Sequence, residues 1–300
     1  MKSCLVIGST VCDVIINLPS IPQSTQDTNI YGQTLQLGGC AYNVVSILHQ
    51  VGISYTFLSP VGTGVYGEYV AKELEKAGIV TNIHSPQENG CCYCLVEDSG
   101  ERTFLSHHGA EYTFKKEWIQ SLDLNVYDYI YACGIEIEDQ DGENIVACLS
   151  QCKGQIIFAP GPRHMHIPPS LLEKIYAIHP ILHVNETEAH ALSNETDIKH
   201  ALTTLYQKTN NMIVVTLGEK GSMIFNGKQY KQAASKKVTV VDTIGAGDSH
   251  AGAIMAGLCV SEDLQTILEF ANDIATTVVT KKGAGIPTPE ALNIYHEYFG

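Results

Sequence analysis

Residues 240–253, VVDTIGAGDSHAGA, join a glycine-rich turn to the start of an apolar, helix-like segment. Gly245 and Gly247 flank Ala246, so the backbone can turn with successive N–H groups facing one concavity. At a helix N-terminus such donors form an anion hole, which the helix dipole strengthens. Asp248 would repel an anion there, which makes sense if it accepts a proton from a hydroxyl that attacks a phosphoryl group. Taken alone, the stretch also fits an Asp N-cap after a glycine turn.

Strand-like and helix-like segments alternate along most of the chain. CLVIGS at 4–9 precedes AYNVVSILHQVG at 41–52, and YTFLSPVG at 55–62 precedes YGEYVAKELEKAG at 66–78. Apolar strands separated by helices of ten or more residues, two of them with glycine C-cap signals, predict a mostly parallel sheet covered on both faces.

Two segments lack this rhythm. Residues 11–37 contain strand-like runs without a helix between them, and residues 90–108 read as a hairpin that turns at Asp98-Ser99-Gly100. We expect these four strands to form a small separate sheet that needs a cover, either a substrate or a second subunit. The chain is therefore predicted to be a single domain, 1–300, with a lid formed by about 11–37 and 90–108.

Composition excludes several classes of function. The net charge is −14, and only 18 residues are Lys or Arg, so a nucleic-acid partner is not expected. No apolar run reaches the roughly 18 residues of a membrane span. The first ten residues lack a secretory cleavage site, and the ten cysteines lie mostly in apolar segments, so a cytoplasmic protein is expected. One C-x-x-C, at 91–94, has no second pair to complete a zinc site.

Three further motifs accompany the glycine-rich turn. GGCAYN at 38–43 opens a helix directly after a lid strand, and its glycines allow a small polyol to approach the backbone. NETE at 185–188 ends one strand and starts a helix, at the strand edge where open α/β sheets bind ligands. VTLGEKGS at 215–222 is a strand, a glycine turn and a second strand, suited to lie against a nucleotide. Singly, each motif also fits a turn or a cap.

Together and in this order, the motifs resemble the ribokinase/PfkB family of sugar and nucleoside kinases over nearly the whole chain. The resemblance implies a ribokinase-like three-layer α/β/α sandwich with a small β-sheet lid. It also implies ATP and Mg²⁺ as cofactors, and K⁺ in several relatives.

The resemblance also assigns roles by matched position. Asp248 is expected to be the catalytic base, and Gly245, Ala246 and Gly247 the anion hole. Glu188, with Asn185, is expected to organise Mg²⁺ and phosphates, largely through water. The expected substrate contacts are Asp13, Gly39, Asn43, Glu136 and Arg163; the expected nucleotide contacts are Asn185, Thr216, Gly218, Gly221 and Asn272; and the expected monovalent-cation loop comprises Asp242, Ile244 and Gly283.

Departures from the family pattern narrow the substrate. Val11 stands where ribokinases carry Asn, and Cys40 stands where they carry Lys after the double glycine, so ribose itself is not favoured. FAPGPRH at 158–164 resembles the D-P-N-x-R strand end of fructokinase relatives but retains only its proline and Arg163. His250 stands where relatives carry an aromatic or apolar residue, and both packing and a direct role fit it.

These observations predict transfer of the ATP γ-phosphate to a hydroxyl, expected to be a primary one, of a small unphosphorylated sugar. A nucleoside kinase and an inactive ligand-binding relative are the alternatives. A dinucleotide oxidoreductase is excluded because GSTVCD, after the first strand, lacks G-x-G-x-x-G.

Apolar residues on the lid predict a homodimer through the lid sheets, with Cys92, Cys94 or their neighbours in the contact.

Overall fold

The computed structural model describes residues 2–81, 83–138 and 141–300, and a large central sheet runs through them. Its strand order is β14-β13-β12-β11-β10-β9-β1-β4, in which only β13 and β14 run antiparallel to their neighbours. The strands of the described chain are β1 Cys4–Ile7, β2 Val11–Leu18, β3 Gly32–Gly38, β4 Tyr55–Leu58, β5 Pro60–Thr63, β6 Ile83–Glu88, β7 Cys91–Glu97, β8 Arg102–His107, β9 Tyr129–Cys133, β10 Gln155–Ala159, β11 Ile181–Asn185, β12 Ile213–Thr216, β13 Ser222–Phe225 and β14 Tyr230–Ala233.

Helices cover both faces of the central sheet, which confirms the predicted three-layer sandwich. Side chains of β1 alternate between two separate cores, because successive strand residues point to opposite faces: Cys4 packs in one core and Leu5 in the other. The α-helices of the described chain are α1 Cys40–Gln50, α2 Gly64–Ala77, α3 Lys116–Gln120, α4 Gly134–Ile137, α5 Gly142–Leu149, α6 Pro169–Ala177, α7 Glu186–Ser193, α8 Ile198–Thr209, α9 Ala246–Val260, α10 Leu264–Val278 and α11 Thr288–Phe299.

The first core holds α1, α2, α9, α10 and α11, and the second holds α5, α6, α7 and α8. Helix α9 is buried around most of its circumference, between α1 and α10. Because α9 is fixed from all sides, the turn that precedes it is held in place at the carboxyl edge of the sheet.

A second sheet, in the order β3-β2-β7-β8, is built from the segments in which a lid was predicted. Strands β2 and β7 pair in parallel and join the two segments, while β7 and β8 form the predicted hairpin, whose Gly100 N–H bonds to the Glu97 carbonyl at 2.8 Å. We refer to this four-stranded sheet as the lid.

One expectation about the lid was wrong, because a helix does cover part of it. On α2, the Tyr69 hydroxyl donates to the Leu35 carbonyl at 2.8 Å, and the Tyr66 and Tyr93 hydroxyls lie 3.0 Å apart. These tyrosines occupy ordinary amphipathic positions in the sequence, so the sequence did not show that they face the lid.

No helix in the described part of the chain is long and apolar enough to cross a membrane.

Candidate active site

The predicted anion hole lies at the N-terminus of α9. Gly245 caps the helix in the left-handed conformation, with φ of 72°, which a residue with a side chain rarely adopts. The Ala246 N–H bonds to the Thr243 carbonyl at 3.3 Å and closes the turn. The N–H groups of Gly247 and Asp248 make no hydrogen bond to any residue that the structure describes. The Gly245 N–H likewise has no partner among these residues, so the free donors are those of Gly245, Gly247 and Asp248, not that of Ala246.

Asp248 stands beside these free amides and is held by α1. The Asn43 side-chain amide donates to Asp248 Oδ2 at 2.8 Å. Burial raises the pKa of Asp248, although hydrogen bonds from Asn43 and the Cys40 thiol partly offset this rise. A carboxylate that is fixed in position and made more basic than usual suits proton abstraction from a hydroxyl.

The lid brings a second carboxylate, Asp13, towards Asp248. Burial and then the negative charge of Asp248 raise the pKa of Asp13 to about 7. The carboxylate lies directly over Gly38, where an added Cβ would come 2.0 Å from Asp13 Oδ2. Gly39 caps α1 with φ of 99°, and a Cβ there would come 2.5 Å from the Ser9 carbonyl oxygen. The double glycine thus lets the lid strand, the end of β1 and the start of α1 meet in one cleft.

Two expected substrate contacts are engaged elsewhere. Glu136 on α4 is only 1% exposed, and its Oε1 accepts hydrogen bonds from the Ser9 N–H at 2.8 Å and the Ser9 hydroxyl at 2.7 Å. It therefore braces the connection from β1 to the lid. Arg163 Nη2 lies 2.6 Å from Glu138 Oε1, so the arginine forms an ion pair with that buried carboxylate. Glu136 Oε2 has no hydrogen-bond partner among the described residues and the Arg163 side chain is 44% exposed, so direct substrate contacts at these two residues stay predictions.

Asn185 and Glu188 form a reciprocal capping box at the start of α7. Asn185 Oδ1 accepts the Glu188 N–H at 2.8 Å, while Glu188 Oε2 accepts the Asn185 N–H at 3.1 Å and Oε1 accepts its amide at 2.8 Å. Burial raises the pKa of Glu188, and the charges of His164 and Asp248 act on it in opposite directions. The negative charge of Asp248 therefore acts on Glu188, so the two carboxylates belong to one electrostatic environment.

The predicted nucleotide strand and turn are present next to α7. Thr216 ends β12, and Gly218 and Gly221 bound a single 3₁₀ turn before β13. Asn272 on α10 is buried and fully engaged, since its Oδ1 accepts from the Ser222 hydroxyl at 2.8 Å and its Nδ2 donates to the Ala233 carbonyl at 2.9 Å. Asn272 thus connects α10 to β13 and β14, and its contact with the nucleotide stays a prediction.

The predicted cation loop contains an ion pair that sequence reasoning missed. Asp242 Oδ1 accepts the Ile244 N–H at 2.8 Å, and Oδ2 accepts the Gly283 N–H at 3.0 Å. Arg102, on lid strand β8, approaches the same carboxylate with Nη1 2.5 Å from Oδ1. The scarcity of arginine was the available signal, because Arg102 and Arg163 are the only two in the sequence.

His250 lies behind the site in a buried pair. Its Nδ1 is 2.9 Å from Nε2 of His183, which is in β11. Burial lowers the pKa of His183 to about 4 and holds that of His250 well below its usual value. Of the two interpretations of His250, the structure favours packing.

An anion hole, an adjacent basic carboxylate and a lid at the carboxyl edge of a parallel sheet define a phosphotransferase with a hydroxyl acceptor. The pfkB family carbohydrate kinase model matches residues 1–291, so the chain belongs to this family. An uncharacterized sugar kinase of Escherichia coli K12, YegV, is 32% identical over 99% of this chain and 94% of its own length.

Solved structures agree with this fold. A ribokinase from Thermotoga maritima superimposes with a TM-score of 0.87 at 24% identity, covering 99% of this chain and 100% of its own. A fructokinase from Xylella fastidiosa with bound ATP has a TM-score of 0.82 at 19% identity, covering 99% and 98% of the two chains. These similarities confirm the ribokinase-like fold.

Proposed function

We propose that the protein transfers the γ-phosphate of ATP to a hydroxyl, a primary one, of a small unphosphorylated sugar. The proposal rests on the free amides of Gly245, Gly247 and Asp248, which lie beside a carboxylate that Asn43 fixes. The amides would bind the γ-phosphoryl oxygens. The acceptor oxygen would attack phosphorus, its proton would pass to Asp248, and the bond to the β-phosphate oxygen would break to release ADP.

The charges around the cleft support a neutral acceptor. Asp13 and Asp248 are both acidic, whereas Arg102 and Arg163 are each paired with a carboxylate. A phosphorylated acceptor would bring two further negative charges to these carboxylates without a free arginine to bind them.

A panel of sugars and nucleosides assayed for ADP release tests the proposal. At least one unphosphorylated sugar should release ADP in step with phosphosugar formation, and Asp248→Asn should abolish most of that release. Preference for a nucleoside would replace the sugar by the alternative substrate class. Absence of release with every acceptor would contradict kinase activity towards this class of compounds.

The residues present fit Mg²⁺ held through water. Both Glu188 carboxylate oxygens already accept hydrogen bonds from Asn185, so their remaining lone pairs suit water better than direct coordination. The described residues contain no group of three side chains able to hold a metal by themselves. Bound with ATP, Mg²⁺ would offset charge on the transferring phosphates, and Glu188 would orient its water shell.

A monovalent cation at the carbonyls of the Asp242, Ile244 and Gly283 loop remains part of the proposal. The loop is already closed by the amides that bond to Asp242, so an ion there would reinforce an existing shape. Faster turnover in K⁺ than in tetramethylammonium at equal ionic strength is expected, and equal rates would contradict an ion at this loop.

A homodimer through the lid is also proposed. Phe104 and Leu105, on opposite faces of the lid's edge strand β8, are each 54% exposed. A second lid packed on this edge would cover both side chains. Light scattering at micromolar concentration should give twice the monomer mass. Comparison of Phe104→Asp with Leu105→Asp should show which face carries the contact, and a monomeric wild type would contradict it.

A cytoplasmic location is the remaining proposal. All ten cysteines are free, including Cys4 and Cys259, whose thiols are hydrogen-bonded at 3.4 Å without forming a disulfide. Reduced thiols this close together suit a reducing compartment.

A further inference from the structure

The ion pair between Arg102 and Asp242 joins the lid to the loop before α9. Its side chains are 23% and 8% exposed, so the pair is shielded from water far more than a typical surface ion pair. Arg102 forms the last paired position of the β7–β8 hairpin before the turn, opposite Val96. It therefore lies at the tip of the hairpin.

The hairpin is attached to the domain at the opposite end from Arg102. The chain enters it at Gly90 and leaves it at Gly109, and the buried Glu111 carboxylate accepts hydrogen bonds from both N–H groups, at 2.8 and 3.1 Å. Strand β7 is also paired with β2 from Cys92 to Glu97, so the hairpin moves together with the whole lid. Any opening of the lid would therefore separate Arg102 from Asp242.

Asp242 in turn fastens the two loops that shape the anion hole. It accepts the N–H groups of Ile244 and Gly283, on different loops. The second loop packs against the cap of α9, since a Cβ on Gly245 would come 2.3 Å from the Ala284 Cβ. An unpaired Asp242 carboxylate near the anion hole would weaken its positive potential. The guanidinium of Arg102 neutralises that charge while the lid is down.

A second lid strand touches the same loop. A Cβ on Gly283 would come 2.4 Å from Gln36 Oε1, and Gln36 is the partner of Asp13 in the β2–β3 register. The lid face that carries the substrate-side Asp13 therefore rests on the loop that Asp242 fastens.

We propose that Arg102 is a positioning residue that couples lid closure to the anion hole, because its pairing with Asp242 both latches the lid and completes the loop beneath it. This inference rests on the proposed phosphotransfer. With the latch formed, acceptor and γ-phosphate are enclosed away from water; with it broken, water competes with the acceptor and ATP is hydrolysed to ADP and phosphate.

Kinetics of Arg102→Met test the latch, because Met keeps much of the side-chain length without the charge. We expect the acceptor KM to rise about tenfold, in keeping with the loss of one charge-assisted hydrogen bond. The ratio of ADP released to acceptor phosphorylated should also rise. Arg102→Lys should restore part of both effects. Lys208→Met, which removes the exposed hydrogen bond from Lys208 on α8 to the Leu192 carbonyl, is the control and should leave both unchanged.

A double-mutant cycle with Asp242→Asn separates coupling from simple destabilisation. If the two residues act as a pair, the double variant should raise KM less than the product of the single effects. A lower melting temperature for Arg102→Met with unchanged KM and unchanged ADP-to-product ratio would overturn the proposal, since it would show a structural ion pair only.

Hydrogen exchange keeps the latch testable if no acceptor is found. Amides of β7 and β8 should exchange faster in Arg102→Met, while those of the central sheet keep their wild-type rates. Unchanged exchange in the hairpin would contradict the latch. Failure of the acceptor panel, by contrast, would contradict only the proposed function.

Discussion

Helices α9 and α7 begin at the same edge of the central sheet, and they differ in whether side chains bond to the N–H groups at their starts. In helix α7 the Asn185 and Glu188 capping box bonds the N–H groups of Asn185 and Glu188 to side chains. Helix α9 has no side-chain cap and leaves the amides of Gly247 and Asp248 without a described partner. The start of α9, which no side chain caps, is available to an anion, whereas the side chains of Asn185 and Glu188 already bond to the backbone at the start of α7.

The stability that α9 forgoes at its cap comes from its surroundings. Its body is buried between α1 and α10, and its preceding loop is fastened through Asp242. Helix α7, shorter and less buried, relies on its cap. Substitutions at the two helix starts should therefore affect different properties: catalysis at α9, and stability together with metal use at α7.

The largest expected effect is at α9. Asp248→Asn should lower kcat by roughly 10²–10⁴-fold, the usual contribution of a positioned general base. Nucleotide binding should persist, because the free amides remain. Steady-state kinetics and nucleotide titration on the same preparation measure both. Near-wild-type turnover would remove Asp248 from the role of base, and loss of folding would instead favour a cap.

Acidification should weaken the connection behind the two helix starts. His183 precedes α7, His250 lies in α9, and both are buried with lowered pKa values, about 4 for His183. Below the ordinary histidine pKa of about 6.5, these two histidines bind protons in the unfolded chain but stay neutral in the folded chain. Stability from this pair is therefore present above about pH 6.5 and should fall as the pH drops towards 4, by about 3 kcal/mol for His183 alone.

Carboxyl groups with raised pKa values, such as Asp13, stabilise the folded chain as the pH falls. The effect of the histidines is therefore measured as a difference between wild type and a histidine variant. Denaturant unfolding of wild type and of His183→Gln/His250→Gln between pH 8 and pH 4 cancels the contribution of the carboxyl groups. The difference in unfolding free energy should shrink as the pH falls. His200→Gln, at an exposed histidine, is the control. A difference that stays constant with pH would contradict the buried neutral pair.

At α7 the effect on metal use should be smaller. Glu188→Gln should raise the Mg²⁺ concentration needed for half-maximal rate about tenfold, as is common when a residue that orients metal ligands is lost. The amide can still accept one hydrogen bond from Asn185, so folding should be retained. A Mg²⁺ titration at fixed ATP measures the shift, and an unchanged curve would show that the NETE motif acts only as a helix cap.

The smallest effect is expected from the cap itself. Asn185→Ala should lower the unfolding free energy by about 1 kcal/mol, the typical contribution of an N-cap side chain. Asp197→Ala is the matched control, because Asp197 caps α8 through the His200 N–H, away from the cleft. Both variants should lose similar stability, but only Asn185→Ala should change the Mg²⁺ requirement. Equal Mg²⁺ curves would show that Asn185 has no part in ordering the metal.

Local patterns predicted the elements and the positions of the motifs. Strand and helix periodicities are set by neighbouring residues, so the parallel sheet, the lid strands and the turn at Gly245 were all visible in the sequence. The use of each polar atom was not visible. Matching a family motif located Glu136 and Asn272, but their hydrogen bonds with Ser9, Ser222 and Ala233 depend on tertiary packing.

Contacts between residues that are far apart in the sequence could not be predicted either. Arg102 and Asp242 are 140 positions apart, and nothing in the local sequence of either residue indicates the other. The tyrosines of α2 that bond to the lid also sit at ordinary helical positions. Side-chain partners of this kind are fixed only when separate elements pack together.

The parallel pairing of β2 with β7 has a consequence for the order of assembly during synthesis. Asp13 acquires its strand partner Cys92 only after α1 and α2 have been made, and Asn43 meets Asp248 across 205 positions. Contacts with such large sequence separations form late, because the intervening chain must first be ordered. An incomplete chain on the ribosome can therefore hold a folded sheet edge without Asp248, the proposed base, beside it. The proposed site is complete only when the last fifth of the polypeptide has emerged and α9 has docked.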